Sequence, residues 1–413
     1  MQHVSVINVS IYKRNIIYFF CSFIWAATIS ILPQVFFMTY YPEQKNTYLS
    51  LFLLLGTLAS IAGILTSHNN SFYFSITENT GRRSFLAVCC IFTMAATYSG
   101  LFLVKNLFLY LVCFVLMKFI SNLFYNFIDR FFVECSDQQQ IRIHVQANLL
   151  FQLLGLMAAP LYFSFFSGNK ILSISLIWVI AIFSLCYMMT DIRKMSTNSR
   201  KNKVLDRAFP QKKISRYHHL FTAYSLLILT AVNMMISMMI YILKDYYHFS
   251  NASEKGGVVI GVISVLAVIT VLFSVVFVKP FTPIKNNHNV RQKFPVRANG
   301  IAIWGFILII GAFYLKITDS FFILLCFCSF AGIFYGIFLY STRNYASSAS
   351  LNTGLISIYN NLPNYASLVG SLLILSVSLL AKTQAMDFSK LMLEIILVLF
   401  ILALFALIKD RTL

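Results

Sequence analysis

The sequence predicts an all-α integral membrane protein with twelve transmembrane helices in two pseudo-symmetric six-helix bundles. Of its 413 residues, 59% are hydrophobic and only 11% are charged, a composition outside the range of soluble globular domains. The apolar residues also gather into twelve stretches. Most of these stretches contain the roughly 20 residues that a helix needs to cross a bilayer.

The predicted spans follow one another along the whole chain. The first apolar run is longer than the core of a cleavable signal peptide and many spans follow it, so we interpret it as a span. The twelve spans are 16–38, 47–67, 84–104, 107–128, 145–166, 171–190, 219–243, 256–278, 298–315, 320–340, 355–381 and 388–408.

Positive charge alternates between successive loops. If the spans alternate in direction, 23 of the 32 Lys and Arg residues fall on the side of the termini and 8 on the other side, and Lys118 alone lies within a span. The positive-inside rule then predicts a multi-pass protein of the inner or plasma membrane with both termini in the cytoplasm. The net charge of +19 indicates anionic lipid headgroups as partners rather than nucleic acid.

The long polar segment 191–217 divides the chain into two halves with six predicted spans each. We expect an N-terminal six-helix bundle over 1–190, a basic cytoplasmic linker over 191–217 and a C-terminal six-helix bundle over 218–413. The segment LFYNFIDRFF at 123–132 pairs with IFYGIFLYSTR at 333–343. This plan is typical of repeat-built secondary transporters, whose substrate site lies near the midplane between the halves.

The loop between spans 2 and 3 carries a recognisable motif. The segment 74–86, FSITENTGRRSFL, resembles the G-x-x-x-D-R-x-G-R-R signature of the major facilitator superfamily. Gly81, Arg82 and Arg83 match it and Glu78 stands in place of Asp, while the leading Gly and the first Arg are replaced. A carboxylate at a helix end and an Arg pair can lock a gate in one state. The alternative is that the Arg pair only anchors the loop at the membrane.

Lys118 is the most informative single residue. It lies 11 residues into span 4, hence about 16 Å deep at ~1.5 Å per residue. A charge there should face protein or a water-filled cavity. Asn122, Asn126 and Asp129 follow at helical spacing, so they form one polar stripe with it. The resemblance implies that helix 4 contributes to the substrate cavity, and a buried cation in a cavity favours an anionic substrate. We assign Asp129 and the adjacent Arg130 to the gate. Alternatively, Lys118 only bonds neighbouring protein groups.

Other spans carry uncharged polar stripes. The resemblance implies that helices 1, 5, 7 and 11 line the substrate cavity, so polar residues there are expected substrate contacts. The alternative role is hydrogen bonding between helices. These further expected contacts are Trp25 and Gln34 in span 1, Gln152 in span 5, Asn233 and Ser237 in span 7, and Asn360 and Asn364 in span 11.

The resemblance implies a secondary active transporter that works by alternating access as a monomer. Lys118 favours a small, carboxylate-bearing substrate. The segment 155–160, GLMAAP, resembles part of the motif of the exporter and antiporter branches, which tilts the prediction toward export of a polycarboxylate siderophore or an organic acid. The alternative is uptake of a nutrient such as an amino acid, organic acid or nucleoside.

A membrane-embedded transferase is the alternative from another class. The sequence contains none of the common hydrolase, zinc-protease or ATP-binding motifs, so we expect no catalytic residue, metal or cofactor. The energy source would be an ion gradient. Candidates for proton coupling are Asp129, Glu394 and Lys118, and transport without proton coupling is the other possibility.

Overall fold

The computed structural model of the chain describes residues 15–77, 79–134, 138–166, 169–198, 216–277, 288–349, 353–384 and 386–411. Within these ranges the regular elements are helices, and twelve of them are long and apolar enough to cross a membrane. The predicted fold class, an all-α membrane protein with twelve spans, is therefore confirmed.

The spanning helices agree with the predicted spans, although several continue beyond the apolar stretch. Between α2 and α3 lies a short helix, Asn70–Thr77, here called the loop helix. A π-helical turn over Ile242–Tyr246 continues α7. The spanning helices are α1 (Ile16–Tyr40), α2 (Lys45–His68), α3 (Thr80–Leu103), α4 (Leu107–Glu134), α5 (Gln138–Phe166), α6 (Lys170–Asn198), α7 (Arg216–Tyr241), α8 (Ala252–Phe277), α9 (His288–Tyr314), α10 (Phe321–Ala349), α11 (Thr353–Gln384) and α12 (Phe388–Arg411).

Because the number of spans is even, α1 begins and α12 ends at the same end of the bundle. We call this the terminal end and the opposite one the distal end. The first half comprises α1–α6 and the second half α7–α12. Helices α2 and α11 pack together across the halves, as do α5 and α8.

Helix α1 is irregular at its centre. Ala27–Ile31 forms a π-helical turn, and regular helix resumes at Leu32. Pro33 lies in this first regular turn and has no amide hydrogen to donate, which favours a local break in the ladder. The Thr28 hydroxyl donates to the Ile24 carbonyl at 2.8 Å. The Thr28 side chain thus provides a hydrogen bond to a backbone carbonyl beside the π-helical turn.

Small residues allow the close approach of α5 to its neighbours. A Cβ on Gly155 would lie 2.5 Å from the Phe19 carbonyl oxygen of α1. A Cβ on Gly257 of α8 would lie 2.9 Å from the Pro160 carbonyl oxygen of α5. The 155–160 segment therefore forms one contact within the first half and one between the halves.

Polar contacts join the halves at the distal end. The Lys45 ammonium at the start of α2 forms an ion pair with Asp245 of the second half, with 2.7 Å between Nζ and Oδ2. Ile240 of α7 donates its amide to Gln34 Oε1 at 3.1 Å, and the Tyr241 hydroxyl donates to the Gln34 carbonyl at 3.4 Å. We call these five residues the distal seal.

Candidate functional site

A cavity of about 1040 Å³, including the part open to solvent, lies between the two halves. Helices α1, α4 and α5 line it from the first half and α7, α10 and α11 from the second. Trp25 of α1 is on the lining and precedes Gln34 by nine residues, which is about 14 Å along a helix. The cavity is therefore on the terminal side of the distal seal.

Five of the predicted substrate contacts lie on this lining. They come from five helices of both halves, so the cavity brings together residues that are far apart in the chain. Their side chains offer an indole and four amides, which can hydrogen-bond a polar solute. These residues are Trp25, Asn122, Gln152, Asn233 and Asn364.

Three of the four amides already have protein partners; those of Gln152 are given below, and the other two are Asn122 and Asn233. Asn122 Nδ2 donates to Ser60 Oγ at 3.0 Å and to the Lys118 carbonyl at 3.0 Å. Asn233 Nδ2 donates to the Pro363 carbonyl at 3.2 Å, which joins α7 to α11. Both amide groups are thereby held in fixed orientations at the wall, with their oxygens left as acceptors.

Lys118 lies one layer behind the wall. Its side chain is 4% exposed, and its ammonium nitrogen has no hydrogen-bond partner among the described residues. The ammonium is 5.5 Å from the centre of the Trp25 ring and 5.7 Å from that of Phe114. Cation–π contacts of this kind offset only part of the cost of a buried charge. The Lys118 amine therefore lies against the cavity wall, with no anionic partner among the described residues.

Three other predicted contacts lie away from the lining. Gln34 is fully buried in the distal seal. Asn126 Nδ2 donates to the Asn122 carbonyl at 2.9 Å, within its own helix. Ser237 is buried on α7 outside the set of lining residues. Asn360 lies in α11, but its side chain is outside the described part of the chain.

The lining residues that the sequence analysis missed include Tyr125, Tyr335 and Arg343. The internal repeat could have indicated the tyrosines, because the aligned segments place Tyr125 and Tyr335 at equivalent positions. The sequence predicts that Arg343 lies in the loop after span 10, which ends at residue 340. In the structure α10 continues past it to Ala349. Arg343 Nη2 donates to Gln152 Oε1 of the first half at 3.3 Å.

The motif residues pack at the terminal end. Asn79 Oδ1 accepts a hydrogen bond from the Gly81 amide at 2.8 Å and caps α3. Arg82 Nη1 donates to the Ser75 carbonyl of the loop helix at 3.1 Å. The Arg83 guanidinium is 5.1 Å from the centre of the Phe131 ring of α4. Glu78 lies outside the described residues.

Arg130 fastens the same region from α4. Its guanidinium is 3.8 Å from the centre of the Tyr73 ring of the loop helix. It also donates to the His68 carbonyl at the end of α2, at 3.4 Å. These contacts of Arg82, Arg83 and Arg130 all lie within the first half. Their role in a gate stays a prediction.

Asp129 lies apart from that group, in a buried polar cluster. The Tyr18 hydroxyl of α1 donates to Asp129 Oδ1 at 3.3 Å, and Asn148 Nδ2 of α5 donates to the same oxygen at 3.3 Å. His144 Nε2 is 3.5 Å from it. The exposed fractions of Asp129 and His144 are 7% and 4%. The helix stripe that begins at Lys118 thus ends in a carboxylate that contacts α1 and α5.

Comparison with known proteins identifies the family. A sequence model of the Major Facilitator Superfamily matches residues 14–371. A search of curated protein sequences gave no match. Among solved structures, the nucleoside transporter NupG shares the fold with a TM-score of 0.62 at 11% identity, over 98% of this chain and 99% of that one.

Two further structures show the same fold. A bacterial homologue of the human lysosomal transporter Spinster, inward-facing and occupied, has a TM-score of 0.62 at 12% identity, over 100% of this chain and 97% of that one. A bacterial homologue of the iron transporter ferroportin, outward-facing, has a TM-score of 0.61 at 13% identity, over 98% of this chain and 100% of that one. The protein belongs to the Major Facilitator Superfamily, and it is a multi-pass membrane transporter rather than an enzyme.

Proposed function

We propose that this protein is a secondary active transporter of a small anionic solute that carries at least one carboxylate. One observation carries the proposal. The cavity between the halves has Arg343 on its wall and the unpartnered Lys118 ammonium directly behind Trp25, while its lining contains no acidic side chain among the described residues. The two positive charges come from opposite halves.

This charge distribution favours a negatively charged ligand for a physical reason. A buried ammonium without a partner is costly, and an anion in the cavity would offset that cost. Hydrogen bonds to charged groups contribute about 1.5–3 kcal/mol each. The Arg343 guanidinium presents its donors in a planar fork that matches a carboxylate. The lining amides would then fix the orientation of the solute.

The positions of the seal and the cavity support alternating access. The halves are joined at the distal end by the Lys45–Asp245 ion pair and by Gln34, and the cavity lies on the terminal side of these contacts. If the termini are cytoplasmic in the inner or plasma membrane, as the charge bias predicts, this conformation would be loaded from the cytoplasm. Opening the distal seal would then release the solute outside.

The direction of net transport has two candidates. Export, for example of an organic acid or a polycarboxylate siderophore, is favoured by the resemblance of 155–160 to the exporter and antiporter motif. That segment also forms the α5–α8 contact between the halves. Uptake of a nutrient anion is the second candidate. An assay of flux under an imposed proton gradient of either sign separates the two.

The substrate class can be tested with purified protein in proteoliposomes. We expect saturable transport of labelled mono-, di- or tricarboxylates and none of a neutral nucleoside. Arg343→Gln should lower carboxylate transport at least about tenfold, the equivalent of ~1.4 kcal/mol. Lys382→Gln, at an exposed lysine of the distal end, is the matched control and should have no effect. If the wild type transported neutral solutes, and Arg343→Gln transported them at the same rate, the proposal would be refuted.

A further inference from the structure

Asp129 and Arg343 belong to opposite halves, yet a continuous row of hydrogen bonds joins them. Resting on the proposed anion transport, we propose that Asp129 is a proton-binding site whose charge is transmitted to Arg343 through the amide side chains of Asn148 and Gln152. These four residues are here called the amide relay.

The hydrogen bonds of the relay all point the same way. Arg343 Nη2 donates to Gln152 Oε1 at 3.3 Å, Gln152 Nε2 donates to Asn148 Oδ1, and Asn148 Nδ2 donates to Asp129 Oδ1 at 3.3 Å. A cation begins the row and a carboxylate ends it, so each amide dipole is aligned by the charges at both ends. Hydrogen bonds in such a row polarise and strengthen one another.

Asp129 is surrounded by groups that can exchange or stabilise a proton. Tyr18 from α1 and His144 from α5 contact its carboxylate, and their own side chains are 3.3 Å apart. Among the other described neighbours of α4, α3 presents Arg83 and α2 presents His68, each in contact with one of the two residues that follow Asp129. Helix α4 itself presents Tyr125, whose hydroxyl accepts hydrogen bonds from both Asn148 and Gln152. Among the described residues, the titratable groups that face Asp129 are therefore the Tyr18 and Tyr125 hydroxyls and the His144 imidazole.

Protonation of Asp129 would act on Arg343 by reversing the amides. When the proton binds Oδ1, the oxygen that Asn148 contacts, the new hydroxyl can donate to Asn148 only if Asn148 turns its oxygen toward Asp129. Asn148 then presents its NH₂ group to Gln152, which must turn in the same sense. Gln152 would finally present its own NH₂ group to Arg343, and two donors repel each other. Arg343 would leave this contact and become available to an anion in the cavity.

The sign of this coupling has a consequence for transport. The proton and the anion would bind together, because protonation of Asp129 makes the Arg343 guanidinium available to the anion. Joint binding in one conformation gives symport. An inwardly directed proton gradient would then drive uptake, the second of the two proposed directions.

The relay can be tested without knowing the substrate, by infrared titration of the purified protein. The probe is the proton, and the signal is the C=O stretch of a neutral carboxyl group. We expect a band that titrates with pH and is missing in Asp129→Asn. At the pH where half of this group is protonated, Arg343→Gln should raise the protonated fraction to about three quarters, which corresponds to a displacement of about 0.5 pH unit.

A double-mutant cycle separates the relay from a direct electrostatic effect. In an Asn148→Leu background, Arg343→Gln should no longer change the protonated fraction. Asn299→Leu is the matched control, since Asn299 is also a buried amide bonded to a tyrosine hydroxyl, that of Tyr224 at 3.1 Å. It should leave the effect of Arg343→Gln unchanged. If Asn148→Leu elutes as an aggregate on size exclusion, Gln152→Leu breaks the next link.

Three results would overturn the relay. They are the absence of a titrating band, no effect of Arg343→Gln on it, and an equal effect in the Asn148→Leu background. None of them depends on transport. A relay that fails while Arg343→Gln still abolishes carboxylate transport would reject only this inference, whereas an intact relay without carboxylate transport would reject only the proposed function.

Discussion

Replacing Lys118 by Gln removes the buried ammonium while keeping a side chain of similar length. The side chain is 4% exposed and its nitrogen has no described hydrogen-bond partner. The lost cation–π contacts with Trp25 and Phe114 contribute about 0.5–2 kcal/mol. The relieved cost of a charge at this depth is at least about 2.5 kcal/mol. We therefore expect Lys118→Gln to be inserted normally and to be at least as stable as the wild type.

Transport by the same variant should nevertheless fall. If the ammonium interacts with a substrate carboxylate, its loss costs about 1.5–3 kcal/mol, which is roughly a 10- to 100-fold decrease at 1.4 kcal/mol per factor of ten. Lys118→Arg should restore transport only in part, because the guanidinium is planar and longer. The assay is initial carboxylate flux per molecule in proteoliposomes, with thermal unfolding measured on the same preparation.

Two outcomes would refute this reasoning about Lys118. Normal flux per molecule in well-folded Lys118→Gln would remove the main physical reason to regard the substrate as an anion. A marked loss of thermal stability with flux intact would show that the ammonium has a structural role. Lys382→Gln is the control, because it removes one positive charge from an exposed site. Its flux shows how much of any decrease is due to the loss of a positive charge alone.

Two further predictions concern the interface between the halves. Asp245→Asn removes the ion pair with Lys45, in which the two side chains are 31% and 15% exposed, so the closed distal end should lose about 0.2–1 kcal/mol of stability. Spin-label distances across the distal end should then show a larger fraction of the open state. Exchanging the two charges, in a variant with Asp at 45 and Lys at 245, should reverse this change. Gly257→Ala places a Cβ 2.9 Å from the Pro160 carbonyl and should destabilise the protein by about 1–3 kcal/mol. Gly311→Ala, which meets nothing within 4 Å inside a helix, should not lower the unfolding temperature. An equal decrease in both glycine variants would contradict the packing explanation.

The architecture was predictable because the bilayer imposes a simple condition on the sequence. A segment that crosses the hydrocarbon must pair its backbone polar groups with one another inside a helix and expose apolar side chains. Length and apolar composition alone therefore mark the spans. The ends of the helices were less predictable. Helix α4 continues past the predicted end at residue 128 to Glu134, because a helix need not stop where its apolar stretch stops.

The candidate site was predictable in part, and the two residues Gln34 and Asn126 show why the rest was missed. Trp25 and Gln34 both read as polar positions of α1, yet Gln34 is 18 residues from the first residue of the helix. That distance corresponds to about 27 Å, which places Gln34 at the distal end. Asn126 follows Lys118 by eight residues and makes a bond within its own helix instead. Counting the rise along the helix separates Gln34 from the cavity. Asn126 lies at the depth of the lining residue Tyr125 and differs from it in the face of the helix that it occupies.

The contacts of Asp129 could not be predicted from the periodicity of the sequence. Its contacts come from Tyr18, His144 and Asn148, on two helices whose relative rotation no sequence pattern specifies. Arg343 was hidden for a related reason. A basic residue near a helix end reads as a membrane anchor, and only the packing of α10 against the first half places it on the cavity wall.

The two halves share a scaffold but differ in charge. Tyr125 and Tyr335, at equivalent positions of the repeat, both line the cavity. The same alignment places the fully buried Cys328 opposite Lys118, so the ammonium has no counterpart in the second half. Arg343 supplies the positive charge there from a different depth. A symmetric scaffold can rock between two states, whereas the recognition of one solute requires an asymmetric set of groups. Substitutions at Lys118 and Arg343 should therefore change which solute is bound, and substitutions at the paired tyrosines should change affinity for many solutes alike.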